Sequence, residues 1–165
     1  SIYFGDISEI AIQSAKNFIK EGATKDIDVF SVLMSEEGNN EIMEDALQKC
    51  DIILDCLPGS QAPRMARLAV KHNCHYANLT EYVQETKDVI EIAKNADTAF
   101  VLQTGLAPGF INVLACRLYE EFKNEFGTEI MDSMTMKVGA ISKNAPSPHY
   151  YAFTWSPIGL SLIHI

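Results

Sequence analysis

The segment Asp51–Leu57, DIILDCL, constrains this chain more than any other stretch, because it is almost continuously apolar and ends at once on Pro58–Gly59–Ser60. So short a run between turn residues reads as a strand, and a strand apolar at successive positions leaves no face for water. That is the pattern of a parallel strand buried on both faces. Ser60 is placed to cap a following helix to His72, with Pro63 in the first turn, where a missing N–H costs nothing.

Parallel strands need crossovers, and the flanking sequence supplies them. Ser1–Gly5 is a short apolar strand ending at Asp6. Ser8 caps a helix whose Ile10, Ala11, Ser14, Ala15, Phe18 and Ile19 recur at helical spacing, and Gly22 stops it. Asp28–Met34 reads as a strand and Glu41–Lys49 as a short helix, pairing Ile42 with Ala46 and Met43 with Leu47. Then come a strand at Cys74–Asn78, a helix over Glu81–Ala96, a strand over Thr98–Thr104 and an amphipathic helix over Phe110–Phe122. Strands alternating with helices predict βαβ units, hence an α/β protein with a doubly wound parallel sheet. After Gly127 the period changes to two, with Met134, Met136, Val138 and Ala140 alternating with Thr135, Lys137 and Gly139. This predicts a strand of a mixed sheet and a boundary near residue 128, with residues 128–165 starting a second α/β domain.

Charge narrows the partners. The chain has 22 acidic against 13 basic residues, a formal net charge of −9, which argues against nucleic-acid or anionic-membrane surfaces. The longest uncharged stretch, Thr98–Cys116, is broken by Gln103, Thr104, Gly105, Pro108, Gly109 and Asn112, so no membrane helix is expected. No basic segment followed by an apolar one opens the sequence, so a secretory signal is not expected. Cys50, Cys56, Cys74 and Cys116 form no CxxC pair, which suggests neither a zinc site nor a redox dithiol. Cys56 and Cys116 lie in apolar segments and are expected as buried thiols in a reducing, cytoplasmic setting. His72 and His75 fall on different elements and should diverge, so no metal is expected; Glu36, Glu37, Glu41, Glu44 and Asp45 read as a solvated face. No GxSxG, HExxH or P-loop pattern is present.

In an open parallel sheet, ligands bind beyond the carboxyl ends of the strands. Right-handed crossovers put four such ends on one rim: Asp6, Leu57–Ser60, Asn78–Glu81 and Gly105–Gly109. An acid at the end of the opening strand suits the ribose hydroxyls of an adenosine; the plainer role is a helix-start Asp. No Arg or Lys occupies the nine positions after Asp6, which favours NAD over NADP. Gly59 lets backbone approach a ligand, although a strand-to-helix turn needs it equally, and the same pair of readings holds for Gly105–Leu106–Ala107–Pro108–Gly109. Trp155, beside Tyr150, Tyr151 and Phe153, serves either as core or as a pocket wall.

Three segments, DIILDCLPGSQAPRMARLAVKHNCHYANLTE, VLQTGLAPGFINVLACRLYEEF and YAFTWSPIGL, resemble the saccharopine dehydrogenase-like family, which includes saccharopine reductases and lysine 6-dehydrogenases. The order of Leu57–Pro58, Tyr76–Thr80 and Gly105–Gly109 carries the resemblance, which extends over residues 1 to 160. It implies an NAD- or NADP-binding Rossmann domain over residues 1–127, then a domain that closes over an amino-acid substrate and carries a homodimer contact. The implied cofactor contacts are Asp6, Leu57, Pro58, Gly59, Asn78 and Gly105. The implied substrate contacts are Thr80, Glu81, Leu106, Pro108, Gly109 and Trp155. The implied chemistry, part of lysine and amino-acid metabolism, is hydride transfer from a CH–NH group to nicotinamide. Thr80, Glu81, Lys143 and His149 are candidates to manage the amine proton, and none is singled out.

The sequence departs from the family in three places. The opening strand resembles the family's second, with the first βα unit and its GxGxxG turn missing, so the chain reads as an internal fragment that holds a dinucleotide poorly alone. Asn78 stands where the family usually has Asp. Leu160–Ile165, LSLIHI, does not continue the family pattern. Two alternatives stay open: a non-catalytic Rossmann-like binding or scaffold protein, and a carboxynorspermidine-type polyamine dehydrogenase.

Overall fold

A computed structural model describes residues 1–80, 82–107 and 109–138. Its elements are β1 (Ile2–Asp6), α1 (Glu9–Gly22), β2 (Val29–Leu33), α2 (Glu41–Leu47) and β3 (Ile52–Asp55), then α3 (Ala62–His72), β4 (His75–Asn78), α4 (Val83–Ala93), β5 (Phe100–Val101) and α5 (Phe110–Phe126). The alternation read from the sequence is therefore present, with shorter strands. Among the described residues every ladder is parallel: β1 with β2, β3 with β4, and β4 with β5.

Local chemistry starts and stops the helices. Ser8 caps α1, its Oγ accepting the Ala11 N–H at 3.3 Å. Asn40 caps α2 through the Met43 N–H at 2.9 Å and reaches back to the Leu33 carbonyl at 3.0 Å. The α3 helix ends on Asn73 at φ 55°, a left-handed conformation that Asn tolerates. Ser60 does not cap α3. Residues Gly59–Gln61 form a 3-10 turn, and α3 begins at Ala62 with no side-chain cap. This turn takes up Ser60 and leaves Gln61 at the N-cap position of α3.

One core dominates. Met43, Ala46 and Leu47 of α2 meet Ile53 of β3, Met65, Ala66 and Ala69 of α3, Tyr76 of β4 and Val89 of α4. The sheet is covered from both sides at β2. Val29 and Val32 are both buried and, three apart, point to opposite faces. Val32 joins the α2–α3 core, whereas Val29 and Ile12 of α1 lie outside it.

Several apolar residues are less covered than the sequence suggested. β3 is buried on one face only: Ile53 and Asp55 are buried, while Ile52 and Leu54 are 60% and 64% exposed. Ile10 and Phe18 of α1 face solvent, and the burial of that helix rests on Ile12. Cys56 and Cys116, expected as buried thiols, are exposed. Residues 133–138 are in no strand, and Met134, Met136 and Val138 are exposed. An alternating pattern becomes a strand only where a ladder partner exists.

The open face of β3 has its origin in the strand order. The strand order is β2–β1 in one sheet and β3–β4–β5 in the other, with no ladder joining them among the described residues. β1 and β3 instead line the two walls of an apolar cleft of about 760 Å³. Ile52 and Leu54 lie on that cleft and find nothing to pack against. An open strand edge and an uncovered apolar face should bind a hydrophobic dye. The double variant Ile52→Thr/Leu54→Thr is expected to reduce dye fluorescence while leaving the far-ultraviolet circular dichroism unchanged. Unchanged dye fluorescence would place the bare surface elsewhere.

Candidate functional site

The carboxyl ends of β3, β4 and β5 are tied together by a chain of buried polar groups. Asp55, the last residue of β3, is buried although it carries a carboxyl group. Its Oδ1 accepts the Leu57 N–H at 3.0 Å, and its Oδ2 accepts the Tyr76 hydroxyl at 2.7 Å. Asn78 Nδ2 donates to Tyr76 Oη at 3.3 Å, and Asn78 Oδ1 accepts the Gln103 N–H at 3.1 Å. The Asn78 carbonyl accepts both the Thr104 N–H, at 2.9 Å, and the Thr104 hydroxyl, at 2.8 Å. Register makes the chain possible: Asp55 lies beside Asn78 and Ile53 beside Tyr76, so all four point into the core. Burial pushes the Asp55 carboxyl above the ordinary carboxylate range, against the two hydrogen bonds that lower it. Burial and the neighbouring Asp55 push the Tyr76 phenol far up, so it stays a neutral donor.

This chain shapes the loop that leaves β5. Gln103 adopts φ 58°, uncommon for a side chain of its kind, and Asn78 holds it there. Gly109 closes the loop at φ 130°; a Cβ there would meet the Gly105 carbonyl oxygen and lie 2.8 Å from that of Gln103. The Gly105 carbonyl accepts the Phe110 N–H at 2.8 Å, and Asn112 Oδ1 accepts the Gly109 N–H at 3.1 Å. The loop after β3 packs as closely against the exit of β4. A Cβ on Gly59 would collide with Thr80 Oγ1 and approach the Tyr82 ring to 2.8 Å. The room that Gly59 leaves is thus filled by protein.

The residues singled out from the sequence divide accordingly. Asn78 is buried, and its amide is spent on Tyr76 and Gln103; it supports the rim from beneath. Thr80 is buried too, its hydroxyl accepting the Tyr82 N–H at 3.3 Å. Leu57 is half-buried against the core. Pro58 and Leu106 are exposed at the rim, beside Gly59 and Gly105. Asp6 ends β1 and accepts the Ser8 N–H at 2.8 Å through Oδ1, the helix-start role. Among the described residues its other carboxylate oxygen takes no hydrogen bond. Asp6 and Leu57 line the same cleft from opposite walls, which brings the β1 end to the β3 end. Glu81, Pro108, Lys143, His149 and Trp155 lie outside the described residues.

Asp55 and Tyr76 carry more of the rim than the sequence reading gave them. The signal was an acid inside the apolar run DIILDCL, which can be buried only if donors meet it.

Comparison with known proteins bears on this rim. Residues 9–104 match the family described as "Saccharopine dehydrogenase NADP binding domain". The chain belongs to that family. It is also similar to the alpha-aminoadipic semialdehyde synthase of Arabidopsis thaliana, at 23% identity over 165 residues, covering 95% of this chain and 15% of that protein. The matched residues run from α1 to the loop after β5 and include the whole Asp55–Tyr76–Asn78 chain. The cofactor class of the family domain is NAD(P), and the parallel sheet with its exit loops on one rim fits such a group. Among the described residues no helix is long and apolar enough to cross a membrane.

Three outcomes follow for these residues. Tyr76→Phe leaves Asp55 Oδ2 without its donor in the core and should cost about 1–3 kcal/mol in chemical denaturation. Asp55 has a raised folded pKa, so the stability it contributes is present at acid pH and declines as pH rises through that value. Melting curves of Asp55→Asn and the parent should therefore diverge with rising pH, to the parent's disadvantage. Gly109→Val should lower the melting temperature strongly, because its Cβ has no space and its φ is wrong. A normal melting temperature with lost turnover would instead move Gly109 from the scaffold to the ligand.

Proposed function

We propose that this chain is the NAD(P)-holding part of an oxidoreductase that acts on the CH–NH group of an amino acid of the saccharopine or lysine type. The observation that carries the reading is the rim. Exit loops of three parallel strands are locked together by Asp55, Tyr76 and Asn78, within a sequence that matches the family domain. A preorganised rim of backbone and small residues suits a large, extended ligand.

In this reading Asp6 accepts hydrogen bonds from the adenosine ribose through the carboxylate oxygen that Ser8 leaves open. Pro58 and Gly59 form the wall past which the dinucleotide runs. Gly105 and Leu106 face the nicotinamide and the substrate. The bound nicotinamide supplies the hydride acceptor. The protein holds the donor carbon over the ring and manages one amine proton, for which Thr80, Glu81, Lys143 and His149 are the candidates. Residues from about 128 onward begin the substrate domain, which also carries the contact between two copies of the full-length protein. The relative's name, alpha-aminoadipic semialdehyde synthase, supports a lysine-related substrate. The family description names NADP, while Asp6, with no Lys or Arg in the next nine residues, favours NAD.

The test uses the full-length protein, titrated with each reduced dinucleotide and then assayed with saccharopine, lysine and carboxynorspermidine. Asp6→Ala should weaken binding of the preferred dinucleotide by about 1–3 kcal/mol, as expected for leaving paired polar groups unmatched. Equal affinity in variant and parent would remove Asp6 from the site. Binding without turnover of any amine would favour a non-catalytic role.

A further inference from the structure

The two half-sheets share no ladder, so something else must fix their spacing. The α2 and α3 helices do this in part: Glu44 of α2 pairs with Lys71 of α3 and lies 2.6 Å from His72 Nε2. The stronger link is Arg64. It projects from the first turns of α3 to the loop that leaves β2. Its Nε donates to the Gly38 carbonyl at 2.7 Å. Nη1 donates to the Glu36 carbonyl at 3.1 Å and to Gln61 Oε1 at 2.9 Å. Nη2 donates to the Ser35 carbonyl at 3.0 Å and to the Ser35 hydroxyl at 3.4 Å. All five guanidinium N–H groups are thus spent, three of their acceptors being backbone carbonyls of one loop. No other side chain has this planar fork; a lysine could satisfy these carbonyls only a few at a time.

The clamped loop adjoins the rim. The Met34 N–H donates to the Asp6 carbonyl at 2.9 Å, and Ser35, the next residue, is the first that Arg64 holds. Arg64 itself follows the exit turn of β3. It therefore connects the loop that leaves the β1–β2 half to the helix that follows β3.

We infer that Arg64 is a positioning residue: it sets the β2 exit loop, and with it Asp6, at a fixed distance from the β3 exit loop, and so determines affinity for the adenosine half of the cofactor. The inference rests on the cofactor reading above, with Arg64 acting through the loop and not by touching the ligand.

The experiment compares Arg64→Met, Arg64→Lys and Arg67→Met in the full-length protein. Arg67 sits on the same helix, exposed and with no carbonyl partners among the described residues, so its variant removes the same charge without the clamp. Binding of ADP and of nicotinamide mononucleotide is measured by calorimetry, and amide hydrogen exchange is followed over residues 35–38. The expected result for Arg64→Met is ADP binding weakened at least tenfold, nicotinamide mononucleotide binding unchanged and faster exchange in the loop. Arg64→Lys should fall between parent and Arg64→Met, and it carries the test if the methionine variant fails to fold. Arg67→Met should bind ADP within twofold of the parent. Faster loop exchange with undiminished ADP affinity would overturn the proposal and leave Arg64 a purely structural clamp. Equal losses in Arg64→Met and Arg67→Met would overturn it in favour of a general charge effect. If the parent itself binds no ADP, the cofactor reading fails first and this inference falls with it.

Discussion

A carboxylate that cannot reach water organises this protein. Asp55 ends β3 inside the core, and burial of a charged group is tolerable only where donors meet both of its oxygens. Leu57 N–H and the Tyr76 hydroxyl are those donors. Tyr76 is thereby fixed on β4, its ring 5.2 Å from that of Phe100 on β5. Asn78 extends the chain to Gln103, whose left-handed backbone turns the chain into the loop before α5. Three strand ends are thus wired by one buried network. A half-satisfied network of this kind would be worse than an apolar core, so its members stand or fall together.

The network stops at β3. Beyond it the β1–β2 pair is held by packing under α2 and α3 and by the Arg64 fork, not by sheet hydrogen bonds. The division has an energetic consequence. The β3–β5 half has ladders, a core and buried polar links, whereas the β1–β2 half contributes fewer buried side chains. Elements with few buried contacts open first, so the β1–β2 side of the rim is the side expected to move.

Much of the fold was legible in sequence because its signals are local. The Ser8 cap, Gly22 and the Pro58–Gly59 turn act within a few residues of themselves. The alternation of strands and helices follows from them. Burial was less legible, because it depends on what arrives from elsewhere. Ile52 and Leu54 have the side chains of a doubly covered strand, yet one face of β3 is open. Ile10 and Phe18 sit at helical spacing, yet Ile12 is the residue that α1 buries. At the rim, the positions of Asn78, Thr80 and Gly59 were correctly placed by the order of strands. Their contacts within the protein were not legible, since Asn78 reaches Gln103 and Gly59 lies against Thr80 and Tyr82.

The sequence by itself determined the α/β class, the order of elements and the rim on which the strand ends gather, because periodicity and turn chemistry are properties of short segments. It also carried the family, in residues that recur in a fixed order. Only the tertiary structure decided that Asp55, Tyr76 and Asn78 form one network, that Gly59 and Gly109 are filled by protein, and that Arg64 grips a loop about 28 residues away in the chain. These are contacts between segments distant in sequence, set by strand register and helix packing, and no local pattern encodes which partner a buried polar group will meet.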